Sequence, residues 1–161
     1  MKQLLSCVLT LMLWLLLTWS LAPSDIAAGV FFSIVIAVVL SDIYPDNPQA
    51  AFEPRRWFWA AVYVPYFFYY MVRANLDVAY RVVHPDMPIR PGIVKVRTTL
   101  KGDLGRTALA NSITLTPGTL SVDIIDDCLY VHWINVSTLD AEEQTMLIVE
   151  KFERILKKIF R

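Results

Sequence analysis

The side chains that could perform catalysis are few, and they lie far apart in the sequence. Asp126 and Asp127 form an adjacent carboxylate pair, a combination that general acid–base chemistry uses. The pair stands between two predicted strands, however, where two aspartates are more typical of a turn. Ser112 and His132 could act as a nucleophile and its base, but no third group is suggested to orient the histidine. The sequence therefore predicts a protein without a catalytic site of its own.

Metal and cofactor sites are not indicated either. Cys7 and Cys128 lie in different parts of the chain, and neither has a cysteine or histidine nearby at the spacing of a metal site. His84 and His132 stand alone, and there is no glycine-rich phosphate loop. The 15 Lys and Arg residues balance 15 Asp and Glu residues and form no basic stripe. We therefore predict no metal, no cofactor and no nucleic-acid partner.

A different kind of signal comes from residues 110–119, Ala-Asn-Ser-Ile-Thr-Leu-Thr-Pro-Gly-Thr. Pro117 sets φ for the second position of a turn, and Gly118 supplies the positive φ that the third position of a type II turn requires. Thr116 and Thr119 can bond to nearby backbone groups. The stretch therefore predicts the end of a helix, a type II turn and the start of a strand. On turn statistics alone it is a structural corner.

The elements that carry these residues fall into two very different halves. Hydrophobic residues make up 56% of the chain and charged residues 19%, against about 45–50% and 25% in ordinary soluble domains. The excess is concentrated in the first eighty or so residues, which hold most of the aromatic side chains and very few charges. The last seventy hold balanced charge and alternating patterns. The sequence thus predicts a membrane half followed by a water-exposed half.

The first 44 residues predict a transmembrane helical hairpin. Residues 4–22 carry no charge and approach the roughly 20 residues that a transmembrane helix needs. A second apolar run, residues 26–40, follows at once and is short for a span. A secretory signal peptide ending at residues 20–22 is the alternative for the first run. Its length and the immediate second run favour a retained span.

Residues 45–83 predict a loop followed by an aromatic-rich helix of ambiguous placement. Residues 57–72 are uncharged and strongly aromatic, with Pro65 in the middle, and charged residues interrupt the apolar ones after that. The helix could lie along the interface or form a third span. The interfacial alternative lets Lys2, Arg55–Arg56 and the later arginines all lie on the cytoplasmic side. In it, the aromatic residues should face lipid headgroups or partner helices.

Residues 84–161 predict a small cytoplasmic α+β domain. Residues 93–99 alternate as a half-buried strand, and residues 103–115 fit a helix. Residues 120–124 and 128–135 are close enough to form an antiparallel hairpin. Residues 142–160 have an amphipathic helical pattern whose buried stripe includes Leu147 and Phe152. The order is β-α-β-β-α, which suggests a small sheet with helices on one face.

Four blocks of this chain resemble the E subunit of Mrp-type (Mnh/Pha) multisubunit cation/proton antiporters. They read Ala-Asn-Leu-Asp-Val-Ala at residues 74–79, Ile-Arg-Pro-Gly-Ile-Val-Lys-Val at 89–96, the segment 110–123 that contains the turn, and Leu-Tyr-Val-His-Trp-Ile-Asn-Val at 129–136. The resemblance covers nearly the whole chain. It implies an accessory subunit of a bacterial inner-membrane complex that exchanges Na+ or K+ for protons in pH and salt homeostasis.

The resemblance also implies its own partners and residues. The partners are the other antiporter subunits and the lipid bilayer, and no catalytic residue is transferred to this chain. A motif for folding or assembly is expected at Asn75, Asp77, Asn111, Thr116, Pro117, Gly118 and Thr119. Two alternatives stay open: a homologous small subunit of a membrane-bound hydrogenase or related respiratory complex, and a stand-alone membrane-anchored binding module.

Overall fold

The computed structural model describes residues 2–39 and 53–160. Contacts divide the chain into two compact units, Met1–Glu53 and Pro54–Arg161. Most of the predicted loop at residues 45–54, and the last residues of the predicted hairpin, lie outside the described residues. Packing thus places the aromatic-rich helix in the same unit as the C-terminal sheet. The predicted domain boundaries at residues 44 and 83 stay predictions.

The first unit is a hairpin of two helices, α1 (Lys2–Thr18) and α2 (Pro23–Val39). Trp14 joins them: its ring stacks on Phe32 at 5.6 Å, and its indole N–H donates to the Asp25 carbonyl at 3.0 Å. A Cβ on Gly29 would lie 2.5 Å from Trp14 Cδ1, so the glycine makes room for the indole. The apolar runs predicted this pairing. In the described parts of the chain, no helix combines the length and the apolar character needed to cross a membrane.

The second unit begins with α3 (Pro54–Val83), one helix that continues through Pro65. Sheet strands β1 (Gly92–Arg97), β2 (Thr119–Ile125) and β3 (Cys128–Trp133) follow, with α4 (Asp103–Thr114) between β1 and β2. The strands lie in the order β1-β3-β2, and both pairings are antiparallel. The predicted β-α-β-β order and the β2–β3 hairpin are therefore confirmed, with ends shifted by a few residues, as expected of element boundaries.

Alternation along the strands sets the two faces of the sheet. Val94 and Val96 of β1 are buried, while Ile93, Lys95 and Arg97 are exposed. The buried face packs on α4 and on the C-terminal helices, because those helices present their own apolar stripes to it. The core contains Val94, Val96, Leu100, Leu109, Ile113, Leu129, Val131, Ile148, Val149, Phe152, Ile155, Leu156 and Ile159.

The C-terminal helical segment consists of α5 (Ala141–Thr145), a π-helical turn (Met146–Glu150) and α6 (Lys151–Ile159). Asp140 caps it, since its carboxylate accepts the Glu142 N–H at 3.1 Å. The sequence predicted one regular helix with Leu147 in the buried stripe, but Leu147 is 43% exposed. The π turn is the reason, because its wider winding shifts the phase of the stripe. Ile148, which was also predicted to be buried, lies in the core, and Val149 takes the place of Leu147 there.

The aromatic face of α3 packs against this core. Tyr63, Phe67 and Tyr70 belong to the partly buried shell around it, and the Phe67 and Tyr70 rings lie 6.1 and 5.9 Å from the ring of Phe152. The expectation that the whole aromatic run faces lipid or partner helices is therefore wrong for this face. The run contains enough aromatic residues to cover two faces, and Phe68 on the other face is 53% exposed.

Candidate functional site

The predicted motif lies at a groove of about 530 Å³ between α3, the turn at residues 116–119, and the segment after β3. We call it the α3–turn groove. Helix α3 contributes Arg73, Asp77 and Arg81 to its lining, and Lys151 comes from the first turn of α6. The π-helical turn forms another part of the wall through Met146 and Leu147. Separate segments of the chain thus build one surface feature.

The turn has the geometry that its sequence predicts. Gly118 has φ of 88°, and the Thr119 N–H donates to the Thr116 carbonyl at 3.3 Å. The two threonine hydroxyls bind the end of α4: Thr116 donates to the Ser112 carbonyl and Thr119 to the Ile113 carbonyl, both at 2.7 Å. These bonds satisfy carbonyls that the helix end leaves open. The turn is therefore fixed to α4 from behind.

The front of the turn is in contact with α3 and with the chain after β3. A Cβ on Gly118 would lie 3.0 Å from Ile134 Cγ2 and 3.4 Å from Val78 Cγ2. The Ile134 N–H also donates to the Gly118 carbonyl at 2.9 Å. Gly118 is needed for two reasons, because its φ is positive and because its neighbours leave little room for a side chain.

An ion pair occupies one end of the groove. The Arg81 guanidinium donates twice to Asp77, at 2.8 and 3.1 Å, and a third bond reaches the Pro88 carbonyl at 2.7 Å. Bidentate pairs of this kind fix geometry as well as charge. The pair therefore ties the last turns of α3 to the loop that leads into β1, and it neutralises the carboxylate that Asp77 brings to the described lining.

Two further cations in the groove have no such partner. Among the described residues, neither Arg73 nor Lys151 takes part in an ion pair. Burial lowers the pKa of the Lys151 ammonium, and the charge of Arg73 lowers it further. Lys151 Nζ lies 5.1 Å from the Phe152 ring centroid and 5.9 Å from that of Tyr70. The groove is consequently poised to accept a negative group.

The structure brings together only part of the predicted motif. Asp77, Thr116, Pro117 and Gly118 line the groove, and Thr119 supports it from behind.

Asn75 and Asn111 lie elsewhere. Asn75 is exposed on α3, where its Nδ2 donates to the Met71 carbonyl at 2.9 Å. Asn111 is exposed on α4, and its carbonyl accepts the Leu115 N–H at 2.8 Å.

Sequence reasoning missed three cations of the groove. Arg81 follows Asp77 by four residues, a spacing that brings two side chains together on a helix. The ion pair could therefore have been predicted from the sequence. Arg73 lies one turn before Asp77 on the same helix. Lys151 carried no such signal, because its place beside Arg73 depends on the packing of α3 against α6.

The candidate catalytic residues do not form a site. Ser112 is buried, and its hydroxyl donates to the Ala108 carbonyl at 2.6 Å and lies 2.5 Å from the Tyr63 hydroxyl. His132 is exposed on the face of the sheet that points away from the helices. Asp127 pairs with Arg106 at 2.6 Å in the β2–β3 turn. No group of three or more His, Cys, Asp or Glu side chains in the described residues could hold a metal ion.

Three of the four blocks that carry the family resemblance line the α3–turn groove, and the fourth is hydrogen-bonded to its wall. Asp77, Gly118 and Ile134 of three blocks line it. The fourth block is bonded directly behind, since the Arg90 N–H donates to the Ile134 carbonyl at 3.1 Å and the Val136 N–H to the Arg90 carbonyl at 2.8 Å. Segments far apart in the sequence thus share one location.

Comparison with known proteins gives a consistent result. The family described as "Na+/H+ ion antiporter subunit" matches residues 7–159. The chain belongs to the E-subunit family of Na+/H+ antiporters. The E subunit of the Na+/H+ antiporter of Alkalihalophilus pseudofirmus is 34% identical over 158 residues, which cover 98% of this chain and 97% of that protein. The E1 subunit of Staphylococcus aureus is 31% identical over 150 residues, or 92% and 88% of the two chains.

A solved structure is also similar to this member of the E-subunit family. A chain of the membrane-bound sulfane sulfur reductase, an archaeal respiratory membrane complex, superposes with a TM-score of 0.80 and 42% identity over 99% of both chains. The family match and the two relatives confirm the resemblance to the Mrp-type antiporter family. The solved structure confirms a mixed helix and sheet fold of the kind found in membrane-complex subunits.

Proposed function

We propose that this E-subunit family member is an accessory subunit of a multisubunit antiporter that exchanges cytoplasmic Na+ or K+ for external protons. In that role it has no catalytic site of its own and contributes to assembly. The observation that carries the proposal is that three of the four family blocks line one groove and the fourth is hydrogen-bonded to its wall. The described lining includes four charged side chains, those of Arg73, Asp77, Arg81 and Lys151. The full-length match to antiporter E subunits supports it.

The α3–turn groove is the docking surface for a neighbouring subunit in this proposal. Arg73 and Lys151 provide two positive charges that no described carboxylate neutralises, and the Asp77–Arg81 pair holds the wall of the groove in place. A carboxylate of the partner would relieve the repulsion between the two cations. Lys151 is partly withdrawn from water, and a charge in that position gains more from a paired partner than a fully solvated one does.

The experiment is a double substitution, Arg73→Gln with Lys151→Gln, in cells that depend on the complex for growth in salt. The matched control is Lys95→Gln with Arg97→Gln, which removes two exposed cations from the open face of the sheet. Native gels should show loss of the large assembly, and inside-out vesicles loss of cation/proton exchange, only for the first pair. An intact complex with full exchange in the groove variant would contradict the docking role.

We also propose that α1 and α2 lie in the bilayer and that the C-terminal unit is cytoplasmic. Exposed apolar side chains along both helices support this, among them Leu9, Leu16, Phe31 and Val38. Cys128, at the start of β3, gives a direct test. In a Cys7→Ser background, a membrane-impermeant maleimide should label Cys128 in inside-out vesicles and leave it unlabelled in intact cells. Labelling of Cys128 in intact cells would mean that the C-terminal unit lies outside the cell, which would contradict the proposal.

A second candidate follows from the structural comparison. The chain from the sulfane sulfur reductase is 42% identical, against 34% for the antiporter E subunit of A. pseudofirmus. The same chain could therefore serve a respiratory membrane complex. Purification through a tag on this chain separates the two: a respiratory complex brings redox subunits that contain iron, and an antiporter complex brings none while supporting cation/proton exchange.

A further inference from the structure

A second depression, of about 510 Å³, lies between the start of α3 and the end of α6. Five of its lining residues are cations: Arg55, Lys101, Arg154, Lys157 and Lys158. None of the described lining residues is acidic. The cations come from three separate parts of the fold, namely α3, the loop after β1, and α6. We call this feature the basic depression.

Among the described residues, one buried carboxylate beneath the depression, that of Glu153, pairs with one of these cations. Glu153 lies 3.0 Å from Lys157 Nζ, and it also accepts the Thr99 N–H at 2.9 Å and the Thr99 hydroxyl. Burial raises the pKa of the Glu153 carboxyl, but these hydrogen bonds outweigh that effect, and the net pKa is lowered. These contacts hold Glu153 in its charged form, and no described carboxylate pairs with the other four cations of the lining.

Compensation of the helix dipole explains part of the cluster but not all of it. Lys157 and Lys158 stand in the last turn of α6, where positive charge is favourable in any helix. Compensation of a helix dipole does not explain Arg55 and Lys101, because Arg55 lies at the beginning of another helix and Lys101 lies in a loop. Both are exposed, so they lose little solvation when they approach the same anion.

The aromatic residues beside the depression indicate what kind of anion it receives. Lys158 Nζ lies 3.9 Å from the centroid of the Trp59 ring, which holds the ammonium in place. Trp57 and Phe58, in the first turns of α3, are 68% and 61% exposed. Cations next to exposed aromatic rings at a helix start are typical of the boundary between lipid headgroups and water.

We propose that the basic depression binds the phosphate of an anionic phospholipid headgroup, with Trp57 and Phe58 in the adjacent headgroup layer. Arg55, Lys101, Arg154 and Lys158 supply the charge. The site is separate from the α3–turn groove and does not depend on the docking role of that groove. Each exposed cation near an anionic lipid surface contributes about fivefold in affinity.

The test uses the full chain in mild detergent, with native mass spectrometry of bound short-chain phosphatidylglycerol, phosphatidylcholine and inorganic phosphate. Wild-type protein should bind phosphatidylglycerol in preference to the other two. Arg55→Gln with Lys101→Gln should weaken that binding about 25-fold, as two charges at fivefold each predict. Lys95→Gln with Arg97→Gln on the open sheet face, the matched control, should leave it unchanged.

Three outcomes would overturn the proposal. Equal losses in the two double variants would mean that net charge alone attracts lipid. Equal binding of inorganic phosphate would mean a site for the free anion. Unchanged lipid binding, with loss of neighbouring subunits from the purified complex, would mean that the depression receives an acidic segment of a partner protein. A failure of the groove variants to affect assembly has no bearing on any of these outcomes.

Discussion

Replacement of Gly118 by alanine tests the structural basis of the α3–turn groove. Two costs add. Positive φ costs a residue with a Cβ about 1–2 kcal/mol, and the tight approach of that Cβ to Ile134 Cγ2, at 3.0 Å, costs about 1–2 kcal/mol when neighbours cannot move freely. We therefore expect Gly118→Ala to lower the free energy of unfolding by about 2–4 kcal/mol.

The assay is thermal unfolding of the full chain in mild detergent, followed by circular dichroism. The expected loss lowers the midpoint by roughly 10 °C for a domain of this size. Gly102→Ala is the control for backbone strain, since Gly102 has φ of 78° and nothing within 4 Å of an added Cβ.

A second comparison isolates the contact. Ile134→Ala removes the Cγ2 methyl that the new Cβ meets, so Gly118→Ala should cost about 1–2 kcal/mol less in that background. An equal cost in both backgrounds would refute the steric part of this reasoning. A cost below about 1 kcal/mol in the wild-type background would refute the strain as well.

Three further predictions concern the charges and rings of the second unit. Lys151→Met keeps the aliphatic stem and removes an ammonium whose pKa is lowered by burial. The isolated chain should therefore keep or gain thermal stability, while native gels show a weaker complex. A destabilised chain would contradict this prediction. Glu153 has a lowered pKa, so its contribution is present above the unfolded pKa and is lost as pH falls through the folded one. Glu153→Gln should therefore flatten the decline of the unfolding midpoint between about pH 5 and pH 2, and an unchanged slope would count against the assignment. Phe67→Ala should cost about 2–4 kcal/mol because the ring packs on the core, whereas Phe68→Ala, on the exposed face, should cost less than about 1 kcal/mol; equal midpoints for the two variants would show that α3 does not cover the core.

Periodicity was sufficient to predict the three strands, α4 and the C-terminal helical segment, but not the π turn within that segment. The alternation of Ile93, Lys95 and Arg97 with Val94 and Val96 determined which side of β1 is buried, because a strand has a period of two. The turn at Pro117 and Gly118 was equally readable, since few residue pairs suit a type II turn.

Relationships between elements were not available in the same way. The aromatic richness of α3 was compatible with lipid, with partner helices and with a protein core, because all three are apolar. The packing of Phe67 and Tyr70 on Phe152 shows that one face of α3 covers the protein core. The position of Lys151 beside Arg73 depends on that packing and on the π turn before it, and neither has a signal in local sequence.

The covering of the core by α3 has a consequence for biosynthesis. Residues 54–83 leave the ribosome well before α6, and elements at the N-terminal side form first during synthesis. Until Phe152 and the rest of α6 emerge, Phe67 and Tyr70 lack the ring that they pack on in the finished chain. We therefore expect a lipid surface or a chaperone to cover Phe67 and Tyr70 during synthesis. A chain that ends before Phe152 lacks the ring that Phe67 and Tyr70 pack on, so completion of the C terminus distinguishes a finished subunit from a truncated one.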